Sequence, residues 1–215
     1  MIDKIFTSKV CFAVFLIAAA GDLAVPFFIA PFSEYDHLKM VMSALGNHNR
    51  PMSALYNLWL IIVGTVFLLS AIAWYKMYSK ISVPLAVWLS IIIAIYAIGG
   101  CVLSGIFPVG ETKELATIPA KIHGISSSIG FMIFLSCPLV IALLSFRQHK
   151  TLVGVISLIF FAAAVIFFAF FIMSDKERFH DTIISFEGLW QRLSLLCMYA
   201  PLMIISLDRL FQKNT

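Results

Sequence analysis

A short polar face opens an otherwise apolar stretch of the chain. Residues 118–131 read IPAKIHGISSSIGF, and in a helix His123, Ser126, Ser127 and Gly130 would share one face. Imidazole titrates near neutral pH, so His123 is a candidate general base, metal ligand or headgroup contact. The structural alternative is a histidine that caps the helix, with serines as small packing residues. We favour a place for this face in a ligand pocket.

Asp22 is the residue whose burial in a membrane costs the most free energy, because it lies inside an apolar run. An intramembrane carboxylate must be paired, protonated or hydrated, and is by default a functional candidate. It would serve as a proton or cation site, or as a general base. The structural alternative is a neutral carboxyl hydrogen-bonded to serines such as Ser127. Asp22 would lie about 15 Å below the end of its helix, whereas His123 would lie at a helix end, so we expect no direct pairing.

Each even-numbered apolar stretch begins with a polar side chain, namely Asn57, His123 or Arg192. Arg192 follows Gln191 in the run EGLWQRL, where a guanidinium would bind a phosphate or carboxylate bidentately. The alternative is an arginine that extends to the interface and pairs with a lipid or with Glu187. The sequence predicts an outward-facing polar pocket between helices. Its predicted residues are Asp22, Asn57, Ser104, His123, Ser126, Ser127, Gln191 and Arg192.

Motifs for metals and cofactors are missing from the sequence. None of the histidines has HxxxH or HExxH spacing, which zinc sites in helices commonly show. There is no phosphate-binding glycine loop, no GxSxG turn and no dinucleotide fingerprint. The four cysteines occur singly and are predicted to be buried free thiols. We therefore expect neither a metal nor a cofactor.

The composition specifies the elements that must position these residues. Of the 215 residues, 61% are hydrophobic and 12% charged, and the mean hydropathy is +1.00. So little polar surface predicts an all-α, polytopic integral membrane protein. A membrane-spanning helix needs about 20 apolar residues. The sequence predicts one domain of six such helices, over residues 10–32, 54–75, 81–107, 122–146, 151–173 and 189–207.

The distribution of charge predicts the orientation. The formal charge of +4 is spread over short connections, so we expect no nucleic-acid partner. Eight Lys or Arg lie in the N-terminus, the turns 76–80 and 147–150 and the C-terminal tail. The long connections, with Arg192 included, hold seven. The short turns contain no acid, whereas the long connections are mixed in charge. We expect both termini in the cytoplasm and the long connections outside.

Four short signatures resemble those of one family. They are Ser43-Ala44-Leu45-Gly46 followed by Asn57, then Gly105-Ile106-Phe107-Pro108, Lys121-Ile122-His123-Gly124, and the run from Glu187 to Leu193. In this order and spacing they resemble the bacterial and archaeal membrane proteins called "domain of unknown function 998". The resemblance implies six helices, an outward polar cluster and the plasma membrane of a prokaryote. It implies no particular activity.

These features lead to one functional expectation and two alternatives. We expect a non-enzymatic protein, surrounded by membrane lipids, whose pocket binds or passes a small polar or amphipathic ligand. The first alternative is an intramembrane lipid-modifying enzyme, such as a metal-dependent hydrolase, with Asp22 or His123 as base and a serine or metal-bound water as nucleophile. The second is a structural membrane subunit whose polar residues specify helix packing.

Overall fold

Six helices dominate the computed structural model, which describes residues 8–110 and 115–212. Within these residues there is no β-strand. All six helices are long and apolar enough to cross a membrane, which confirms the predicted all-α membrane architecture. They are α1 (Lys9–Phe32), α2 (Ser53–Tyr78), α3 (Val83–Ile106), α4 (Ile118–Arg147), α5 (Thr151–Met173) and α6 (Glu187–Phe211).

The start of α4 differs from the sequence prediction. The helix begins at Ile118, four residues before the predicted start, because the Thr117 hydroxyl accepts a hydrogen bond from the Ala120 amide at 3.3 Å. Pro119 occupies the first turn, where its missing N–H is tolerated. His123 therefore lies in the second turn, and the interpretation of His123 as the helix cap is wrong.

The connections divide the bundle into two ends. The described parts of the long connections, residues 33–52, 107–110, 115–117 and 174–186, lie at what we call the long-loop end. The turns 79–82 and 148–150 lie at the short-turn end. Contacts at the short-turn end join α1, α5 and α6: the Lys9 ammonium donates to the Leu210 carbonyl at 3.0 Å, and Lys150 lies 3.5 Å from Asp208.

Aromatic rings from five helices form the centre of the core. Phe15 of α1 lies 4.9 Å from Phe67 of α2, measured between ring centroids. Tyr96 of α3 stacks on Phe134 of α4 at 4.3 Å, and Tyr199 of α6 meets Phe67 edge-on at 5.5 Å. Helix α5 is peripheral, since only three of its residues are buried. Its other side chains form much of the lipid-facing surface.

A π-helical turn in α3 brings α4 unusually close. Residues Tyr96–Val102 are π-helical, a geometry that is rare and that shifts backbone carbonyls out of the regular ladder. The Gly99 carbonyl accepts from the hydroxyls of Ser104 at 3.0 Å and Ser126 at 3.3 Å. A Cβ on Gly99 would lie 2.3 Å from the Ser126 carbonyl oxygen. Only glycine therefore permits this approach of α3 to α4.

Helix α4 is broken in its middle, and its two halves pack differently. The long-loop half, Ile118–Phe134, packs mainly on α3, whereas the short-turn half, Cys137–Arg147, packs mainly on α5 and also contacts α3 and α6. Pro138 in the first turn of the second half accounts for the break, because proline cannot continue the hydrogen-bond ladder. Few backbone contacts join the long-loop halves of α4 and α5, and we call the space between them the α4–α5 cleft. The rings of Phe131, Phe168 and Phe171 pack against one another in this space.

The close approach of α3 and α4 predicts a stability difference between two Gly→Ala variants. Gly99→Ala should lower the free energy of unfolding by about 1–3 kcal/mol, since the new methyl group would meet rigid backbone. Gly124→Ala is the matched control, because its methyl group would meet the flexible Leu115 side chain. Unfolding in detergent micelles measures both. Equal stability of the two variants would contradict the tight contact.

Candidate functional site

A cavity of about 260 Å³ lies at the long-loop side of the bundle. All six helices contribute to its lining, together with residues of the connections 33–52 and 107–117. Asp22 lies ten residues before the end of α1, or about 15 Å of helix. Tyr96 lies ten residues before the end of α3. These two residues form the floor of what we call the central cavity.

The structure brings most, though not all, of the predicted pocket residues to this cavity. Those that line it are Asp22, Ser104, His123, Ser127 and Gln191. Those that do not are Asn57, Ser126 and Arg192. The cavity is also lined by polar residues outside the eight predicted ones, namely Ser43, Tyr56, Tyr96, Ser128 and Glu187.

Asp22 is held by a buried tyrosine pair. The Tyr199 hydroxyl donates to Asp22 Oδ2 at 2.8 Å, and the hydroxyls of Tyr199 and Tyr96 lie 2.9 Å apart. Tyr199 gives its single hydroxyl proton to Asp22. The hydrogen bond between the two tyrosines is therefore donated by the Tyr96 hydroxyl. Asp22 is only 2% exposed. Ser127, which the structural alternative named as an example of a partner for Asp22, instead donates its hydroxyl to the Gly124 carbonyl at 3.4 Å.

A signal for the two tyrosines was present in the sequence. Tyrosines of membrane proteins concentrate near the interfaces, where the hydroxyl reaches water. Tyr96 and Tyr199 instead lie well inside their apolar runs, and a buried phenol usually has a hydrogen-bond partner. The intramembrane acid Asp22 was the available acceptor. Pairing them, however, required knowing that α1, α3 and α6 meet.

The serines of α4 make local hydrogen bonds. The Ser126 hydroxyl lies 3.3 Å from the Gly99 carbonyl oxygen and 3.4 Å from that of His123. The hydroxyl protons of Ser126 and Ser127 are thus given to backbone carbonyls. A serine nucleophile would instead give its proton to a neighbouring base. The arrangement suits serines that offer lone pairs to the cavity, and Ser127 and Ser128 both line it.

Asn57 and His123 have a shared structural role at the entrances of their helices. Asn57 Nδ2 donates to the Gly46 carbonyl at 2.9 Å, which holds the 3₁₀ turn Met42–Gly46. His123 Nδ1 lies 2.9 Å from the Phe107 carbonyl oxygen. Since a carbonyl accepts only, Nδ1 carries a proton and donates it to this carbonyl. His123 therefore both anchors the end of α3 and lines the cavity.

Arg192 is a buried anchor for the first long connection. Its Nη1 donates to the carbonyls of His37 at 2.8 Å, Met40 at 3.3 Å and Gly188 at 2.8 Å. Its Nη2 donates to the Tyr35 hydroxyl. Arg192 is 9% exposed. The guanidinium that was expected to bind an anionic ligand is thus directed at neutral oxygens of residues 33–52.

Neighbours of Arg192 on α6 strengthen the same attachment. A Cβ on Gly188 would lie 2.2 Å from the Met40 carbonyl oxygen, so the connection can approach α6 only at a glycine. The Gln191 side-chain oxygen accepts a hydrogen bond from the Met42 amide at 2.7 Å. The run EGLWQRL therefore fastens residues 37–42 over the cavity.

The electrostatics of this attachment leave Arg192 with neutral neighbours. Burial lowers the pKa of His37, the nearby Arg192 charge lowers it further, and Asp36 opposes both effects. Burial raises the pKa of Tyr35, and Arg192 offsets part of that rise. Both side chains are consequently uncharged at neutral pH. The Arg192 charge is stabilised by carbonyl and hydroxyl dipoles.

The described part of the chain holds no group of three or more His, Cys, Asp or Glu residues arranged to bind a metal ion. All four cysteines are free thiols, as predicted from their isolated positions, but Cys11 is only half-buried. Cys101 and Cys137 are fully buried, and so pack as small apolar side chains.

The fold defines the class of protein: an integral membrane protein of six helices. More particularly, the chain belongs to the family described as "Protein of unknown function (DUF998)", whose family model matches residues 11–208. This confirms the resemblance drawn from the four signatures. No curated protein and no solved structure matches the chain.

The Arg192 contacts predict a specific change in backbone protection. Arg192→Lys keeps the charge but loses the planar fork, and each lost charged hydrogen bond is worth about 1.5–3 kcal/mol. Hydrogen exchange of the amides in residues 35–42 should accelerate about thirtyfold, which corresponds to about 2 kcal/mol. Arg178→Lys is the control, because Arg178 is exposed and contacts Phe179. Unchanged exchange in Arg192→Lys would refute the anchoring role.

The Asp22 contact predicts a coupled stability effect. Tyr199→Phe should lower the free energy of unfolding by about 1–2 kcal/mol, because Asp22 loses its donor. In an Asp22→Leu background the same substitution should cost less, as a double-mutant cycle would show. Tyr78→Phe, at a buried tyrosine outside the pair, serves as the control. An equal cost in both backgrounds would mean that the two side chains are not coupled.

Proposed function

We propose that this protein binds or passes a small polar or amphipathic ligand, such as a lipid with its headgroup in the central cavity. The observation that carries the proposal is the composition of that cavity. Asp22 and Tyr96 form a polar floor, Ser127 and Ser128 add hydroxyl groups, and Phe131 adds an apolar wall. Such a combination suits a ligand with one polar and one apolar end.

The size of the cavity favours a headgroup over a whole lipid. Its volume of about 260 Å³ is just below the range of about 300–1,000 Å³ that is typical of drug-sized ligands. A lipid would therefore keep most of its hydrocarbon outside the cavity. The α4–α5 cleft provides the place for that hydrocarbon.

The route from the bilayer runs beside Ser128. This serine lines the cavity and is exposed on the long-loop half of α4. Phe131 and Phe171 line the same opening, and their ring centroids lie 5.9 Å apart. A hydroxyl on a lipid-facing surface has no partner in hydrocarbon, so a polar group in the cleft would satisfy it.

We also propose that the long-loop end faces outward, that the chain ends are cytoplasmic and that the membrane is the plasma membrane of a prokaryote. The acid-free turns with Lys76, Lys80, Arg147 and Lys150 support this orientation. The cavity would then open toward the outside and the outer leaflet.

The local contacts favour binding over catalysis. The hydroxyl protons of Ser126 and Ser127 are donated to backbone carbonyls. His123 uses Nδ1 to hold Phe107. Lipid modification by a serine nucleophile would require these side chains to form new hydrogen bonds.

The proposal predicts that a bulky residue at the opening displaces the ligand. Protein purified in mild detergent should carry a bound amphiphile detectable by native mass spectrometry. Ser128→Trp should reduce its occupancy at least about tenfold, equivalent to about 1.4 kcal/mol. Ile129→Trp is the matched control, since Ile129 is 44% exposed on the same helix and does not line the cavity. Equal occupancy in the two variants would overturn the proposed site.

A further inference from the structure

We propose that the ligand of the central cavity carries a protonated amine, and that Asp22 binds this cationic end while the hydrocarbon lies in the α4–α5 cleft. The inference rests on the proposed function and names the chemical class of the ligand. It follows from the acidic lining of the cavity together with an unpaired oxygen of a buried carboxyl group.

The charged residues that line the central cavity are acidic. Asp22 lies at the floor and Glu187 lines the cavity from the first turn of α6. Among the described residues that line the cavity there is no Lys and no Arg. Arg192, the cation on the neighbouring turn of α6, is directed at the carbonyls of His37 and Met40. The lining therefore favours a cationic group over an anionic one.

Only one of the two oxygens of the Asp22 carboxyl group has a hydrogen-bond partner among the described residues. Oδ2 accepts the Tyr199 hydroxyl, whereas Oδ1 is buried and has no hydrogen-bond partner among the described residues. A buried acceptor without a donor is costly, and for an ionised oxygen the cost is larger. An ammonium group would supply both an N–H donor and the opposite charge. The Tyr199 contact fixes the carboxyl group without neutralising its charge.

Aromatic residues add to the preference for an amine. Tyr56 and Tyr96 line the cavity together with Asp22. The faces of aromatic rings attract ammonium groups, most strongly where water is excluded. A bare divalent metal ion would need about six or more oxygen ligands, and Asp22 and Glu187 are the carboxylates that the described lining offers. An organic ammonium with an apolar tail matches both the floor and the cleft.

The test compares three probes that share a dodecyl chain and differ in charge. Full-length protein in a neutral detergent would be titrated with dodecylammonium, dodecanol or dodecyl sulfate, and binding followed by native mass spectrometry. Dodecylammonium should bind at least about tenfold more tightly than dodecanol, and dodecyl sulfate most weakly. Asp22→Asn, which can still accept the Tyr199 hydrogen bond, should bind the amine no better than the alcohol. Asp208→Asn, which removes an acid at the short-turn end, should keep the preference.

The outcomes separate the two proposals. Equal binding of the amine and the alcohol to the natural protein would overturn the amine inference and leave the amphiphile site intact. Binding of none of the three probes would count against the proposed function itself. Thermal stabilisation by sodium ions that is lost in Asp22→Asn, without any response to the amine, would identify an inorganic cation site and overturn the inference. The comparison of probes on the natural protein remains decisive even if Asp22→Asn does not fold.

Discussion

Backbone carbonyl groups at the long-loop end must find hydrogen-bond donors in surroundings where water is scarce, and the rest of the structure depends on how they find them. Asn57, His123 and Arg192 each lie near the start of an even-numbered helix and donate to a carbonyl of a preceding segment. An unsatisfied carbonyl would be costly at this depth. Asn57 and Arg192 thereby hold the first connection over the bundle, so that it forms part of the cavity lining. His123 holds the end of α3.

The cavity itself arises from two irregularities in the helices. The π-helical turn Tyr96–Val102 allows the long-loop half of α4 to pack tightly on α3, with Gly99 at the contact. The break at Pro138 separates this half from the short-turn half of α4, which packs mainly on α5. Departures from regular geometry of this kind are frequent at functional sites.

Asp22 shows how far chemical reasoning on a sequence reaches. Its position in an apolar run marked it as a residue that needs a special environment, and the structure provides one. The partner is nevertheless Tyr199, 177 residues away, and not Ser127. Residue types state which interactions are required, whereas the choice among possible partners depends on which helices are neighbours. Arg192 illustrates the same point. The sequence identifies its guanidinium as a hydrogen-bond donor but does not identify the carbonyl groups that accept from it.

The sequence alone determined the six membrane-crossing helices, the family and the polar positions at the helix entrances. These follow from local properties, since hydrophobic length and charge pattern are read along the chain. The tertiary structure alone decided that Asn57 and Arg192 fasten a connection instead of lining the cavity, and that Ser128 reaches the lipid-facing surface. Such assignments depend on helix rotation, the α3 π-helix and the α4 break. Those are set by packing between residues distant in the chain, which no single apolar run specifies.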